Sequence, residues 1–291
     1  MAVDYNAFDI NWITYPLTVY LKTGFFDFIL FYIAMKDYGL VSIITPTWAC
    51  APFIGETIRS VLSQSYPHWE LLIQDDCSTD NTREIVAAFA QGDARIKYAC
   101  NPRNVGAAIT RNNALRRARG RWIAFLDADD LWLPEKLERQ LRFMVERGHA
   151  FTYHAYREMN ETPGERGVLV SGPCRITHWG MKAFCWPGCL TVMYDVERIG
   201  LIQVADIKKN NDYAMWLVVS QKADCYLLDE SLALYRRGRD GSVSSHTYWT
   251  MIRWHYKLWH EAMEMPLVPS LFWTGLNLCF GLFKKIRYLK R

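Results

Sequence analysis

An apolar segment that ends in three closely spaced carboxylates places the strongest constraint on how this chain can fold. Residues 122–126 read Trp-Ile-Ala-Phe-Leu, and Asp127, Asp129 and Asp130 follow directly. The apolar run is typical of a buried strand, and Pro134 suits the first turn of a helix that comes next. Carboxylates that lose hydration at the end of a buried strand repel one another, so a bound cation would stabilise them. The segment fits either an Mg²⁺ or Mn²⁺ site that also binds phosphate, or solvated acids that cap a helix.

Two segments upstream repeat the pattern of a strand that ends in polar residues. Residues 41–45 form a β-branched run, and residues 69–74 form a second strand candidate that leads into the polar loop 75–82. Helical patterns separate these strands, which predicts an open, mostly parallel α/β sheet flanked by helices. Ligands of such sheets bind beyond the carboxyl ends of the strands. We therefore expect Asp76 and Asp129 to line one crevice.

Five motifs, taken in order and spacing, resemble those of family 2 glycosyltransferases with the GT-A fold. The motifs are Val-Ser-Ile-Ile-Thr-Pro-Thr at 41–47, Asp-Asp-Cys-Ser-Thr-Asp-Asn-Thr at 75–82, Asn-Val-Gly-Ala-Ala at 104–108 with Arg111 and Asn112, Phe-Leu-Asp-Ala-Asp-Asp at 125–130, and Asn-Asp-Tyr-Ala-Met-Trp-Leu at 211–217. The resemblance covers residues 41–245. Residues 132–137 and 188–194 look most like bacterial transferases of teichuronic acid and surface-polysaccharide assembly.

The resemblance implies a donor pocket at the ends of the first two strands. A nucleotide-sugar donor, with a UDP-sugar favoured, presents a base whose polar edge needs a carboxylate or amide. Asp76 matches the base-binding position of the family, and Thr45, Pro46 and Thr47 would line the same pocket mainly through their backbone. The alternative is that Asp76 caps the helix that starts near Asp80.

The acidic cluster is expected to hold a metal ion that binds the diphosphate, because negative charge builds on the diphosphate as it leaves. By the resemblance, Asp129 binds Mn²⁺ or Mg²⁺ as a Lewis acid, with Asp127 nearby, and Asp130 orients the donor or metal-bound water. Arg111 either faces the donor, as in the family, or is a solvated helix residue. Three arginines, Arg236, Arg237 and Arg239, match a basic loop near the diphosphate, and which of them faces the phosphates is open.

Asp212 matches the family's catalytic base, which takes the proton of the acceptor hydroxyl. The family often has Glu-Asp where this chain has Asn211-Asp212, and the loss of one negative neighbour should raise the pKa of Asp212 less. The alternative is a surface acid before an amphipathic helix. The acceptor loop is placed at residues 186–191.

Composition agrees with a globular enzyme of one large α/β domain, with or without appendages. Hydrophobic residues make up 51% of the 291 residues, and the net charge is only +4, so we expect no nucleic-acid partner. The eight cysteines are scattered without a Cys-x-x-Cys pair, and no secretory signal pattern precedes them. These features favour a reduced, cytoplasmic setting.

The two ends lie outside the family motifs. Residues 1–39 form an N-terminal extension without a catalytic pattern, and Met35 is a candidate natural start just before the GT-A domain, which we place at residues 40–245.

Residues 246–291 are expected to form a helical tail. Its stretch 266–283 has no charged residue and is followed by a basic end. Trp273, Leu276, Phe280 and Phe283 suit one face of a helix in the membrane interface, which favours peripheral contact with the inner membrane face. A helix packed on the domain and a true span are the alternatives.

The sequence therefore predicts an inverting, metal-dependent transferase that moves a sugar from a nucleotide sugar to a lipid-linked or polysaccharide acceptor in cell-surface polysaccharide biosynthesis. A non-catalytic, nucleotide-binding scaffold of the same fold is the alternative. Such a scaffold would have no need of Asp76, Asp129 and Asp212 together. A nucleotidyltransferase would need a Gly-rich basic loop after the first strand, where residues 45–49 read Thr-Pro-Thr-Trp-Ala.

Overall fold

The centre of the sheet is the strand β1 (Val41–Thr47), whose β-branched and apolar side chains are almost all buried. The computed structural model describes residues 37–159, 167–237 and 248–290. Residues 39–291 form one compact unit. Met35 and nearly all of the predicted N-terminal extension lie outside the described residues.

The described residues alternate strands and helices in the first half of the unit. In chain order they form β1 (Val41–Thr47), α1 (Ile54–Leu62), β2 (Trp69–Asp75), α2 (Thr82–Gly92), β3 (Ile96–Cys100), α3 (Ala107–Leu115), β4 (Trp122–Phe125), β5 (Leu131–Trp132) and α4 (Lys136–Arg147). The second half contains β6 (Phe151–Met159), β7 (Leu169–Val170), β8 (Arg175–Ile176), α5 (His178–Ala183), a 3₁₀ turn (Cys189–Thr191), β9 (Met193–Asp195), α6 (Val196–Ile199), α7 (Asn211–Ser220), β10 (Cys225–Arg236), α8 (Tyr248–Lys257), a π-helical turn (Leu258–Ala262), α9 (Leu267–Arg287) and β11 (Leu289–Lys290).

The sheet joins a parallel half to an antiparallel half. Its strand order is β11-β7-β6-β9-β4-β1-β2-β3, and β10 pairs with β5, β6 and β8. The pairs β1–β2, β1–β4, β2–β3 and β6–β10 are parallel, whereas β9 runs antiparallel to both β4 and β6. The predicted open, mostly parallel sheet flanked by helices is confirmed.

The register brings the ends of three strands to the same edge. Thr47 lies opposite Asp75, and Ile44 lies opposite Phe125, so the chain leaves β1, β2 and β4 at neighbouring points. Thr45 and Thr47 lie at the end of β1, and acidic residues lie at or just beyond the ends of β2 and β4. The loops expected to line the predicted crevice therefore start from three buried strands.

The core fixes α7 against the same strands. Trp216 of α7 is fully buried and meets Phe125 edge-on, with 5.1 Å between ring centroids. Phe151 of β6 lies on the same indole at 6.0 Å. Because Phe125 comes just before the acidic loop, this aromatic contact holds the start of α7 close to that loop.

The long helix α9 packs on the domain through a polar stripe. Ser270, Thr274 and Asn277 are its buried residues, and they recur at the helical spacing of four and three positions. Trp273 and Phe280, which belong to the face predicted for the membrane, lie partly buried against the core. Asn277 is the stripe residue whose side chain bonds other elements of the domain, and these bonds orient the helix so that most of its apolar side chains face outward.

Candidate active site

Two threonine hydroxyls lie buried at the end of β1. The side chains of Thr45 and Thr47 flank Pro46, and neither hydroxyl has a hydrogen-bond partner among the described residues. Buried polar atoms without a partner are uncommon and often mark places where a ligand binds. Thr45 and Thr47, which are predicted to line the donor pocket, therefore have hydroxyls that could hydrogen-bond a ligand.

Asp76 binds the loop that opens α3. Its Oδ1 accepts hydrogen bonds from Asn101 Nδ2 at 2.9 Å and Val105 N at 2.8 Å, and its Oδ2 accepts one from Gly106 N at 2.8 Å. Gly106 has φ of +88°, a conformation that glycine adopts without strain. Because Oδ2 accepts only this one bond among those described, the carboxylate keeps room for one further donor.

The first turn of α2 is hydrogen-bonded by a different carboxylate, that of Asp80. Asp80 Oδ1 accepts hydrogen bonds from the backbone N and the hydroxyl of Thr82, at 3.2 and 2.6 Å. Asp80 Oδ2 also accepts from Ala51 N at 3.0 Å, which joins the loops that follow β1 and β2. The alternative that Asp76 caps this helix is therefore wrong.

Arg111 joins two walls of the crevice. Its Nη1 donates to Asn211 Oδ1 at 2.6 Å, and its Nη2 donates to Asp127 Oδ1 at 3.0 Å. The side chain is only 8% exposed, so the alternative of a solvated helix residue is wrong. Burial lowers the pKa of Arg111, but the neighbouring carboxylates of Asp127 and Asp212 outweigh it and raise this pKa, so the guanidinium stays charged.

The three acids of the loop after β4 have different surroundings. Asp127 and Asp129 are partly exposed, whereas Asp130 is buried and its Oδ1 accepts a hydrogen bond from Arg236 N at 2.9 Å. Burial and its two acidic neighbours raise the pKa of Asp130 well above its ordinary value. Asp130 therefore connects the acidic loop to β10 through this hydrogen bond. Contact between Asp130 and a donor stays a prediction.

Of the two candidate arginines that the structure describes, Arg236 reaches the acidic loop. Its Nε donates to Asp129 O at 3.0 Å, and its Nη2 pairs with Glu56 at 2.7 Å. Arg237 pairs with Glu158 at 3.0 Å instead. Arg239 lies outside the described residues.

Asp212 stands in the first turn of α7, next to Asn211. Its Oδ1 accepts a hydrogen bond from Tyr213 N at 2.8 Å. Burial raises the pKa of Asp212 above its ordinary value, and the charge of Arg111 offsets only part of that effect. The helix is buried almost all round, so the alternative of a surface acid before an amphipathic helix is wrong.

Asn101, Asn211 and Cys189 are candidate site residues whose contacts the sequence did not reveal. Cys189 begins the 3₁₀ turn within the predicted acceptor loop, and burial, with Asp127 nearby, raises the pKa of its thiol well above the ordinary value. The same thiol lies close to Arg111 and Asp212. No local pattern predicts these contacts, because the partners come from distant parts of the chain.

The acidic loop fits a divalent ion that has few protein ligands. Within the described parts of the chain, no three His, Cys, Asp or Glu side chains form a cluster able to hold a metal. Mg²⁺ commonly binds one or two carboxylates and completes its shell with phosphate and water. Asp127 and Asp129, both partly exposed, match that donor set.

Comparisons of sequence agree with this geometry. The family model described as glycosyl transferase family 2 matches residues 42–177. TuaG of Bacillus subtilis, whose name assigns it to teichuronic acid biosynthesis, is 40% identical over 253 residues, which cover 87% of this chain and 97% of TuaG. The Escherichia coli UDP-Glc:α-D-GlcNAc-diphosphoundecaprenol β-1,3-glucosyltransferase WfgD is 42% identical over 185 residues, which cover 64% of this chain and 71% of WfgD.

Solved structures confirm the GT-A fold. Residues 1–349 of TarS from Staphylococcus aureus, in complex with UDP-GlcNAc, match with a TM-score of 0.61 and 20% identity over 79% of this chain and 69% of that one. A mannosyltransferase from Pyrobaculum calidifontis, in complex with GDP-Man and Mn²⁺, matches with a TM-score of 0.56 and 18% identity over 85% and 75% of the two chains.

Replacing Arg111 by Met should loosen the contact between the acidic loop and α7. We expect the free energy of unfolding to fall by about 2–3 kcal/mol, because Asn211 and Asp127 lose a charged donor. The pKa of Asp212 should rise further, because Arg111 lowers it. Urea unfolding and NMR titration of the aspartate carboxyl carbons measure the two effects. Arg116→Met, at an exposed position beside the same helix, is the control. An unchanged pKa of Asp212 would contradict the electrostatic link.

Proposed function

The chain belongs to glycosyl transferase family 2 and is a glycosyltransferase, and from this premise we propose that it is an inverting, metal-dependent enzyme acting on a lipid-linked acceptor. One observation carries the proposal: Arg111 binds both Asp127 of the acidic loop and Asn211, the neighbour of Asp212. A group that can stabilise the leaving diphosphate and a group that can accept a proton therefore stand on two sides of one crevice. A non-catalytic scaffold has no need of this arrangement.

The donor that fits the pocket is a UDP-sugar. Asp76 keeps a lone pair on Oδ2, which can accept the ring N–H of a uracil, and the hydroxyls of Thr45 and Thr47 lie buried nearby. The name of WfgD specifies UDP-Glc, and the TarS structure holds UDP-GlcNAc. Both similarities support a uridine nucleotide here.

Asp129, with Asp127, would hold the Mn²⁺ or Mg²⁺ ion, which supplies a Lewis acid that neutralises the diphosphate as it leaves. Arg111 adds a fixed positive charge at this side of the crevice and keeps Asp127 in place. Arg236 holds the acidic loop through the carbonyl of Asp129.

Asp212 then removes the proton from the attacking acceptor hydroxyl. Its raised pKa makes it a stronger base than an ordinary aspartate. A single base opposite a departing diphosphate implies one in-line displacement, and such a displacement inverts the anomeric centre.

The acceptor is proposed to be a lipid-linked sugar that the enzyme meets at the inner face of the membrane. The name of WfgD specifies a diphosphoundecaprenol acceptor. Helix α9 is 21 residues long and contains an apolar stretch of 18 residues, so length and composition would allow it to cross a membrane. Its buried polar stripe lies against the domain, which favours a helix that lies in the interface.

The outward face of α9 provides the contact surface. The large apolar side chains exposed on it are Leu267, Val268, Leu271, Phe272, Leu282, Phe283 and Ile286. Exposed Lys285 and Arg287 at its end suit anionic headgroups, and exposed Trp179 of the neighbouring α5 suits the interfacial region.

Asp129→Asn should abolish transfer and the Mn²⁺-dependent part of nucleotide binding while the fold is kept. The amide has the size of the carboxylate but lacks the charge that the ion requires. Calorimetry with UDP, with and without MnCl₂, measures the effect, and Asp206→Asn at an exposed position is the matched control. If the variant bound UDP with the same Mn²⁺ dependence as the wild type, Asp129 would not be a metal ligand.

Asp212→Asn should lower kcat by about 10²–10⁴-fold and leave donor affinity nearly intact. In the wild type, kcat should fall as the pH drops through the raised pKa of Asp212, at a higher pH than an ordinary aspartate would give, because the base works only when ionised. The residual rate of the variant should lack that acid limb. Near-normal kcat with a raised KM would make Asp212 a binding residue.

Replacing Phe272 and Ile286 together by Glu should release the protein from vesicles that contain phosphatidylglycerol. Both side chains are exposed, at 62% and 85%, so the fold should tolerate the change while lipid insertion becomes costly. Flotation measures binding, and Val145→Glu, an exposed apolar position on α4, is the control. Equal flotation of all variants would show that α9 packs on the domain without contributing to lipid binding.

A further inference from the structure

The inner stripe of α9 reaches the helix that carries the proposed base. Asn277 is fully buried, and its Nδ2 is shared among the carbonyls of Lys182 and Ala183, both at 2.8 Å, and the hydroxyl of Tyr213 at 3.2 Å. Its Oδ1 accepts from Trp259 Nε1 at 2.9 Å. One side chain of α9 thus holds α5, the π-helical turn and α7 together.

Tyr213 continues this connection to the reaction site. It follows Asp212 in the chain, and its backbone N donates to Asp212 Oδ1. Its hydroxyl donates to Met181 O at 2.7 Å, and its ring meets Trp259 edge-on at 6.1 Å. A displacement of Asn277 would therefore move Tyr213, and with it the first turn of α7.

The same helix holds the predicted acceptor loop. Lys284 Nζ donates to Trp186 O at 2.7 Å, and the Trp186 ring contacts Phe280 and Phe283 edge-on, at 6.1 and 6.5 Å. Trp186 is 5% exposed. Inner contacts of α9 therefore reach both sides of the proposed reaction site, the base helix and the acceptor loop.

The outer side of α9 leaves a row of large apolar side chains in water when the helix is docked. The inner side of the docked helix includes hydrogen bonds, whose net contribution is about 1 kcal/mol each. On a lipid surface, an undocked α9 would bring Asn277 to the apolar layer without its partners, which is costly, whereas the docked helix keeps these partners and buries its outer face in lipid. Lipid contact therefore shifts the equilibrium toward the docked state.

We propose that Asn277 is a positioning residue that transmits membrane docking of α9 through Tyr213 to Asp212, so that the enzyme turns over fully only on a membrane. This inference rests on the proposed function, since it takes Asp212 as the base and the outer face of α9 as the lipid contact. It gives the enzyme a way to restrain hydrolysis of its donor when no lipid-borne acceptor is near.

The experiment compares the full chain with Asn277→Leu, Tyr213→Phe and Thr274→Val. Thr274 lies on the same buried stripe, but its hydroxyl bonds Ser270 O within α9, so its variant perturbs the stripe without touching α7. Each protein is given UDP-glucose, MnCl₂ and a short-chain, water-soluble GlcNAc-diphospholipid acceptor, with and without phosphatidylglycerol–phosphatidylethanolamine vesicles. The rate of UDP release and flotation are measured.

Vesicles should raise kcat for UDP release by the wild type and by Thr274→Val. Tyr213→Phe removes only a hydroxyl and should keep the fold, the KM and flotation, but lower kcat on vesicles by about 10–10²-fold and abolish the stimulation. Asn277→Leu should behave in the same way.

Three results would each contradict a different part of the proposal. Wild-type protein that floats and releases UDP without stimulation by vesicles would overturn the coupling and leave the proposed function in place. Stimulation retained by Tyr213→Phe would overturn the route through Tyr213. Wild-type protein that neither floats nor releases UDP would overturn the proposed function, and the coupling with it.

Discussion

The pair of hydrogen bonds made by Arg111 is the interaction on which the rest of the site depends. One planar guanidinium, 8% exposed, donates to Asp127 on one side and to Asn211 on the other. Its fixed geometry sets the separation between the acidic loop and the start of α7. Because Asn211 is neutral, the positive charge of Arg111 is balanced only by acids that are themselves candidates for the reaction. The arginine therefore supports both the architecture and the electrostatics of the crevice.

The parallel half of the sheet could be predicted from the sequence because its information is local. A β-branched run marked β1, and two strand candidates followed by acidic residues marked β2 and β4; the parallel register then placed Thr47, Asp76 and Asp127 at one edge. The partners of these residues could not be predicted in the same way. Asn101 and Asn211 are ordinary polar residues until the fold brings them to Asp76 and Arg111, across 25 and 100 positions of the chain.

The face of α9 shows why periodicity alone misleads. Trp273 and Phe280 share a helical stripe that suits a membrane, yet the structure turns them toward the core. The decisive residue is Asn277, whose amide finds four partners inside the domain and would be costly to bury in lipid without them. A polar residue with enough partners can outweigh several apolar ones in orienting a helix, and those partners are set by tertiary structure.

A single base, Asp212, is proposed to act opposite a diphosphate held at the acidic loop, and the anomeric configuration of the product tests this proposal. The enzyme is incubated with UDP-glucose, whose glucose is α-linked, and a GlcNAc-diphospholipid acceptor, and the anomeric proton coupling of the new linkage is measured by NMR. We expect a β-linked product from one in-line displacement. An α-linked product would require a second displacement or a different attacking group, and would contradict the role assigned to Asp212.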